Sequence, residues 1–293
     1  MQKIADVIIE RRWYIRNILS TKLVNITIRL VGFSGEHFRL VRLEGKPLGK
    51  AVKQGPNIFV SYNIREMKPH DIKRVTYKLS LERIRSLKTP QLDYVLNEIP
   101  DDIRHRNSIL ASEFATRRLL KTVNRILRKT NNILEIESHI LSFINRNIKC
   151  YEDIESDPFT IFQRNYGSVE DVSFAFCIMN MLLGIPARKI IGLRFYQLEE
   201  KTVLKDYTWA EIFSPDGWVP VDPCRGIILD PSNLEYIPLL VEIPIRKIPK
   251  THAYYKPVIT TMRKGLNISE EFLGISVRSN NKCFQGKIIR EVH

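Results

Sequence analysis

The residues best suited to covalent chemistry are four cysteines, Cys150, Cys177, Cys224 and Cys283. A cysteine acts as a nucleophile as its thiolate, which a helix N-terminus, a neighbouring cation or a histidine base stabilises. Cys177 lies inside the apolar run "FAFCIMNMLLG" and reads as core. Cys150 and Cys224 read as loop residues, and Cys224, two positions after Asp222, is the candidate for a relocated nucleophile. The four are far apart and form no CxxC pair, so neither a zinc site nor a disulfide framework is indicated. The six histidines have no ligand spacing, so no metal and no cofactor is expected. Ser168 opens the stretch "SVED", in which Ser168 as N-cap and Asp171 three residues on form a helix cap rather than a serine nucleophile.

These residues need elements to position them. Val24, Ile26, Ile28 and Leu30 alternate with polar neighbours, as do Val75, Tyr77, Leu79 and Leu81, and "IFVSYNI" at 58–64 repeats the pattern. With turns at "FSGEH", "EGKPLG" and "KQGPN", residues 1–86 are expected to form an antiparallel β-sandwich. Residues 87–107 show no sustained period and read as a linker. Helical spacing is expected from Ser108, with Phe114, Leu119, Leu120, Val123, Ile126 and Leu127 in one stripe, and again over 134–148. A third helix is expected from Ser168 to the stop at Gly184 and Pro186. Strands are expected at 188–198, 206–213 and 217–222. The fold class is therefore α+β, with a core over 108–225 whose helices pack on an antiparallel sheet. Residues 226–293, Pro-rich at the start, are expected to pack on that core as an extension.

The order of helix, "LLGIPAR", strand, "YTWAEIF" and "GWVPVDP" resembles the transglutaminase-like, papain-related core. Gly184 to Arg188, Trp209, Glu211, Gly217, Trp218, Asp222 and Pro223 carry the resemblance. It implies a cysteine at the start of the central helix, a histidine base and an aspartate that orients it. Here those positions hold Val169, Tyr207 and Asp222. Valine has no lone pair, and a phenol with an unperturbed pKa of about 10 is a poor base at neutral pH. Cys177, eight residues along the helix, sits roughly 12 Å from its start and cannot substitute. The resemblance thus implies a pseudoenzyme, with no catalytic residue at the triad positions and with Asp222 free to accept a hydrogen bond from Tyr207.

Charge supplies the other functional signal. Across 293 residues, 46 Lys and Arg against 32 Asp and Glu leave a formal charge of +14, which suits polyanionic partners. Arg117, Lys121, Arg125 and Arg128 fall on one helical face, opposite the apolar stripe. A second acid-free run holds Arg246, Lys247, Lys250 and Lys256 beside Tyr254 and Tyr255, cations and flat rings that suit a phosphate backbone with stacked bases. The leading expectation is a basic binding module for nucleic acid or a nucleoprotein complex. The alternatives are a scaffold for an acidic protein partner and a cysteine hydrolase or acyltransferase using Cys224. No apolar run reaches signal-peptide or membrane-span length, so a cytoplasmic protein without a membrane span is expected.

Overall fold

A computed structural model describes residues 2–85, 90–152, 154, 157–158, 160–198, 201–242, 258–260, 266–279 and 283–286. The N-terminal half is β. Strands β1 (Gln2–Asn17), β2 (Leu23–Ser34), β3 (Phe38–Lys46), β4 (Lys50–Gln54), β5 (Asn57–Met67) and β6 (Ile72–Arg85) follow one another. Strict alternation along β1 buries Val7, Ile9, Arg11, Trp13 and Ile15 and turns Ile8, Glu10, Arg12 and Tyr14 the other way, the period of a sheet with one face on a core.

Helices then take over: α1 (Asp101–Ala111), α2 (Arg117–Leu127) and α3 (Ile133–Asn147). Next come β7 (Lys149–Tyr151), α4 (Ile161–Arg164), β8 (Tyr166–Ser168) and α5 (Val169–Leu182). The strands β9 (Ala187–Leu198), β10 (Lys201–Ser214), β11 (Gly217–Asp222), β12 (Ile227–Ile228) and β13 (Tyr236–Glu242) follow. Last are β14 (Val258–Thr260), β15 (Leu266–Arg278) and β16 (Cys283–Gly286).

Three antiparallel sheets result. One runs β16-β15-β1-β6-β3, the second β14-β2-β5-β4 and the third β12-β11-β10-β9-β13; β7 and β8 form a short parallel pair. The first two enclose an apolar core that includes Trp13, Phe33, Phe59 and Tyr77, and the third packs its other elements around α5. α5 is buried on every side from Val169 to Met181, which its continuous apolar sequence requires.

Two expectations are corrected. Helix begins at Asp101 rather than Ser108: Pro100 precedes it, and Asp101 and Asp102 sit in its first turn, where negative charge meets the positive end of the helix dipole. The stripe from Phe114 to Leu127 is not one helix either, because Thr116 caps a new one, its hydroxyl accepting from Leu119 N at 3.2 Å. Of residues 226–293, β12 and β13 join the core sheet, whereas β14 pairs with β2 and β15 with β1. The buried Ile275 and Val277 of β15 thereby close the edge that β1 would otherwise expose.

Candidate functional site

The start of α5 is held by a reciprocal cap. Ser168 Oγ accepts from Asp171 N at 3.1 Å, and Asp171 Oδ2 accepts from Ser168 N at 2.9 Å. Ser168 is therefore committed to the helix terminus, as expected. Val169, the first helical residue, is 9% exposed and packs in a cluster with Ile190, Tyr207, Trp209, Tyr236 and Val241.

Strand β10 carries Tyr207, and Asp222 ends β11, which pairs with it. Tyr207 Oη donates to Asp222 at 3.0 Å, and Tyr236 Oη, from β13, donates to Asp222 Oδ2 at 2.7 Å. The backbone N–H of Arg225 donates to Asp222 Oδ1 at 3.2 Å, so a carboxyl group with no solvent exposure has three donors. Burial first, and then Asp222, push the Tyr207 phenol far above its ordinary pKa, and the same two causes raise Tyr236. Neither phenol can serve as a base near neutral pH. The Arg194 guanidinium lies 5.1 Å and 5.3 Å from the centres of the Tyr207 and Tyr236 rings, a cation on the aromatic faces that wall the cluster.

The thiols are placed as follows. Cys177 is fully buried, and burial pushes its pKa far up, which keeps it a neutral, inert thiol. Cys150 and Cys224 form a disulfide, and both pack against the Val169 cluster. This corrects the expectation that no disulfide is indicated. The two are 74 residues apart and carry no spacing motif, and only the return of β11 toward β7 brings them together. In the disulfide, Cys224 has no thiolate to offer as a relocated nucleophile.

The remaining motif residues build a different network. Arg188 Nε donates to Glu211 Oε2 at 2.8 Å while its guanidinium stacks 3.9 Å from the Trp218 ring centre. Glu211 also meets His37 of the β2–β3 turn, with Oε1 2.6 Å from Nε2, and His37 Nδ1 lies 2.7 Å from Ser34 Oγ. Burial works to raise the Glu211 pKa, but His37 and Arg188 outweigh it and hold the group at about 2. Since ionised Glu211 only accepts, His37 Nε2 donates to it, and the Ser34 hydroxyl lies within hydrogen-bond distance of His37 Nδ1. The Ser34–His37–Glu211 row resembles a hydrolase triad in composition, yet Ser34 is fully buried and no substrate reaches it.

The basic residues divide. Arg117, Lys121, Arg125 and Arg128 are all exposed on and just after α2, opposite buried Leu119, Val123 and Ile126. Among the described residues none of the four forms an ion pair. Arg246, Lys247, Lys250, Tyr254, Tyr255 and Lys256 lie outside the described residues. Sequence reasoning missed Tyr236, His37 and Arg194. Each acts across a junction between strands distant in sequence, and a lone tyrosine or histidine gives no local signal of that.

A helix capped at Ser168 packs on a sheet that presents Tyr207 and Asp222 beside its first turn. Residues 121–223 match the family model of the transglutaminase-like superfamily. Among solved structures, a protein from Cytophaga hutchinsonii provisionally assigned as a cysteine protease is similar at 13% identity, with a TM-score of 0.56. That alignment covers 100% of this chain and 93% of the other. The periplasmic domain of TgpA from Pseudomonas aeruginosa is similar at 14% identity, over 74% of this chain and 88% of that one, with a TM-score of 0.38. No curated protein matches the sequence. These likenesses concern the fold. Among the described residues, no helix is long and apolar enough to cross a membrane.

Proposed function

We propose that this is a non-catalytic transglutaminase-like protein that binds a polyanion, with nucleic acid or a nucleoprotein complex as its partner, through the cationic face of α2. One observation carries the non-catalytic part: the side chain at the first position of α5 is Val169, sealed against Tyr207, whose hydroxyl is already given to Asp222. No atom there can form a covalent adduct with an acyl carbon, and the phenol is too weak a base to activate water. The binding part is supported by the four exposed cations of α2, which can neutralise phosphates at helical spacing. In this reading the chain has two units, the sandwich of 1–86 with β14–β16 and the core from Asp101 to β13, and the site lies on the second. The cytoplasmic location also stays within the proposal. The Cys150–Cys224 disulfide bears on it, since such bonds persist in oxidising compartments or in the cytosol of hyperthermophiles.

The test is fluorescence anisotropy with a labelled oligonucleotide over a salt series, on the wild type and on Lys121→Glu/Arg125→Glu. The reading expects log affinity to fall against log salt with a slope of about −3 to −4, the signature of three or four phosphate contacts. The charge-reversed variant should bind at least about tenfold more weakly. An oligonucleotide that does not bind at low salt, or binds both proteins alike, overturns the binding half. Capture of an acidic protein that survives nuclease treatment would shift the same face to the scaffold reading.

A further inference from the structure

The Cys150–Cys224 disulfide does not lie within a closed core. Both cysteines are half-buried, and both line an open groove of about 370 Å³ beside the end of α3. Its apolar floor comes from Ile144, Ile148 and Val172, and its rim carries Lys149 and Tyr151, both exposed. Among the described residues no carboxylate lines it. Glu152, the next acid along the chain, faces away into contacts with Lys205 Nζ at 3.3 Å and the Tyr196 hydroxyl at 3.2 Å. A groove with a lysine at its rim favours the approach of an anionic thiolate and the departure of another, the two charge movements that exchange requires. The bond also sits where its opening has consequences. Cys224 lies between Asp222 and Arg225, and the Arg225 N–H is one of the three donors that satisfy buried Asp222.

We propose that Cys150–Cys224 is a thiol–disulfide exchange site, opened in the folded protein by a dithiol reductant that enters through this groove. A reductant thiolate attacks one sulfur and forms a mixed disulfide, and the other cysteine leaves as a thiolate and takes up a proton. The second reductant thiol then attacks the mixed disulfide and releases the remaining cysteine. The net change is two electrons and two protons to the protein, yielding Cys150 and Cys224 thiols and one oxidised dithiol. This site is separate from α2, so its failure would leave the polyanion reading standing, and the reverse.

The test exposes native protein to dithiothreitol, traps free thiols with iodoacetamide at timed points and maps the labels by mass spectrometry. Labels on Cys150 and Cys224 while buried Cys177 stays unlabelled are the expected result. A bond that opens only when denaturant also exposes Cys177 overturns the proposal. Lys149→Glu provides the second arm, with the exchange rate expected to fall about fivefold as an acid replaces the rim cation. An unchanged rate in that variant overturns the groove as the route of entry.

Discussion

A buried polar side chain is stable when its partners are built in, and the core contains one case of each outcome. Asp222 has three donors, two of them phenols fixed by ring packing, with Tyr207 and Tyr236 in edge contact at 5.9 Å. Tyr207, Tyr236 and Asp222 therefore act as a polar clasp among three strands. Glu137, on α3, has only Asn180 Nδ2, at 3.2 Å, and among the described residues its other oxygen has no hydrogen-bond partner. Burial raises its pKa from 4.5 to about 8, against the smaller lowering effect of Asn180. In the folded state Glu137 thus keeps its proton through neutrality, whereas in the unfolded chain it ionises above pH 4.5. Its contribution is greatest below pH 4.5, declines as pH rises from there, and levels off once the folded pKa near 8 is passed. Glu137→Gln should remove that slope and stabilise the protein at pH 7.5 by roughly 1–3 kcal/mol, read from urea unfolding at pH 5 and pH 7.5. Equal effects at the two pH values would contradict a protonated Glu137.

At the scale of elements, close approach explains residues that periodicity treats as interchangeable. Gly192, in β9, faces both the neighbouring strand and an indole: a Cβ there would stand 2.2 Å from Ile237 O and 2.6 Å from the Trp209 ring. The β13 backbone cannot retreat without breaking its pairing with β9, so Gly192→Ala should cost about 2 kcal/mol or more. Thermal unfolding checks this, and a Tm within a degree of wild type would contradict the tight β9–β13 fit. The cap of α5 and its stop at Gly184 were readable in the sequence, because cap and stop are short-range chemistry: Ser168 meets Asp171 three residues on, and Gly184 takes φ of +82°. The Tyr207–Asp222 contact was readable too, through the motif that places β10 beside β11. The role of Tyr236 was not, since "NLEYIPLLVE" shows neither clean alternation nor a motif, and its phenol finds Asp222 only after β13 pairs with β9. The start of α1 was missed for the opposite reason: its end signals, Pro100 and two aspartates, outweigh a poor apolar period.

On the scale of the whole molecule, Leu193, Phe195, Leu204, Ile237 and Leu239 of the core sheet pack into the apolar core of the sandwich, and polar contacts add a charged junction between the two. His37 and Glu36 from the β2–β3 turn reach Glu211 and Arg188 of the core sheet, at 2.6 Å in both contacts. Glu211, held near pKa 2 when folded and 4.5 as its reference, contributes stability that is fully present above pH 4.5 and is lost as pH falls through 2. Acid titration of the wild type should therefore show a loss of roughly 2–3 kcal/mol across that window, absent from Glu211→Gln. Identical acid profiles would contradict the charged junction. This junction gives Arg188, Glu211 and Trp218 a structural role, since the ion pairs and the Arg188–Trp218 stack join the sheet to the sandwich. The central claim is that the start of α5 has no reactive group. Its most direct measurement is peptide mapping after native, unreduced protein is exposed to a cysteine-directed acylating ester, with Val169→Cys alongside. The account predicts no acyl adduct in the wild type on any residue of the Val169, Tyr207 and Asp222 cluster, whatever the variant shows; a wild-type adduct there would contradict it.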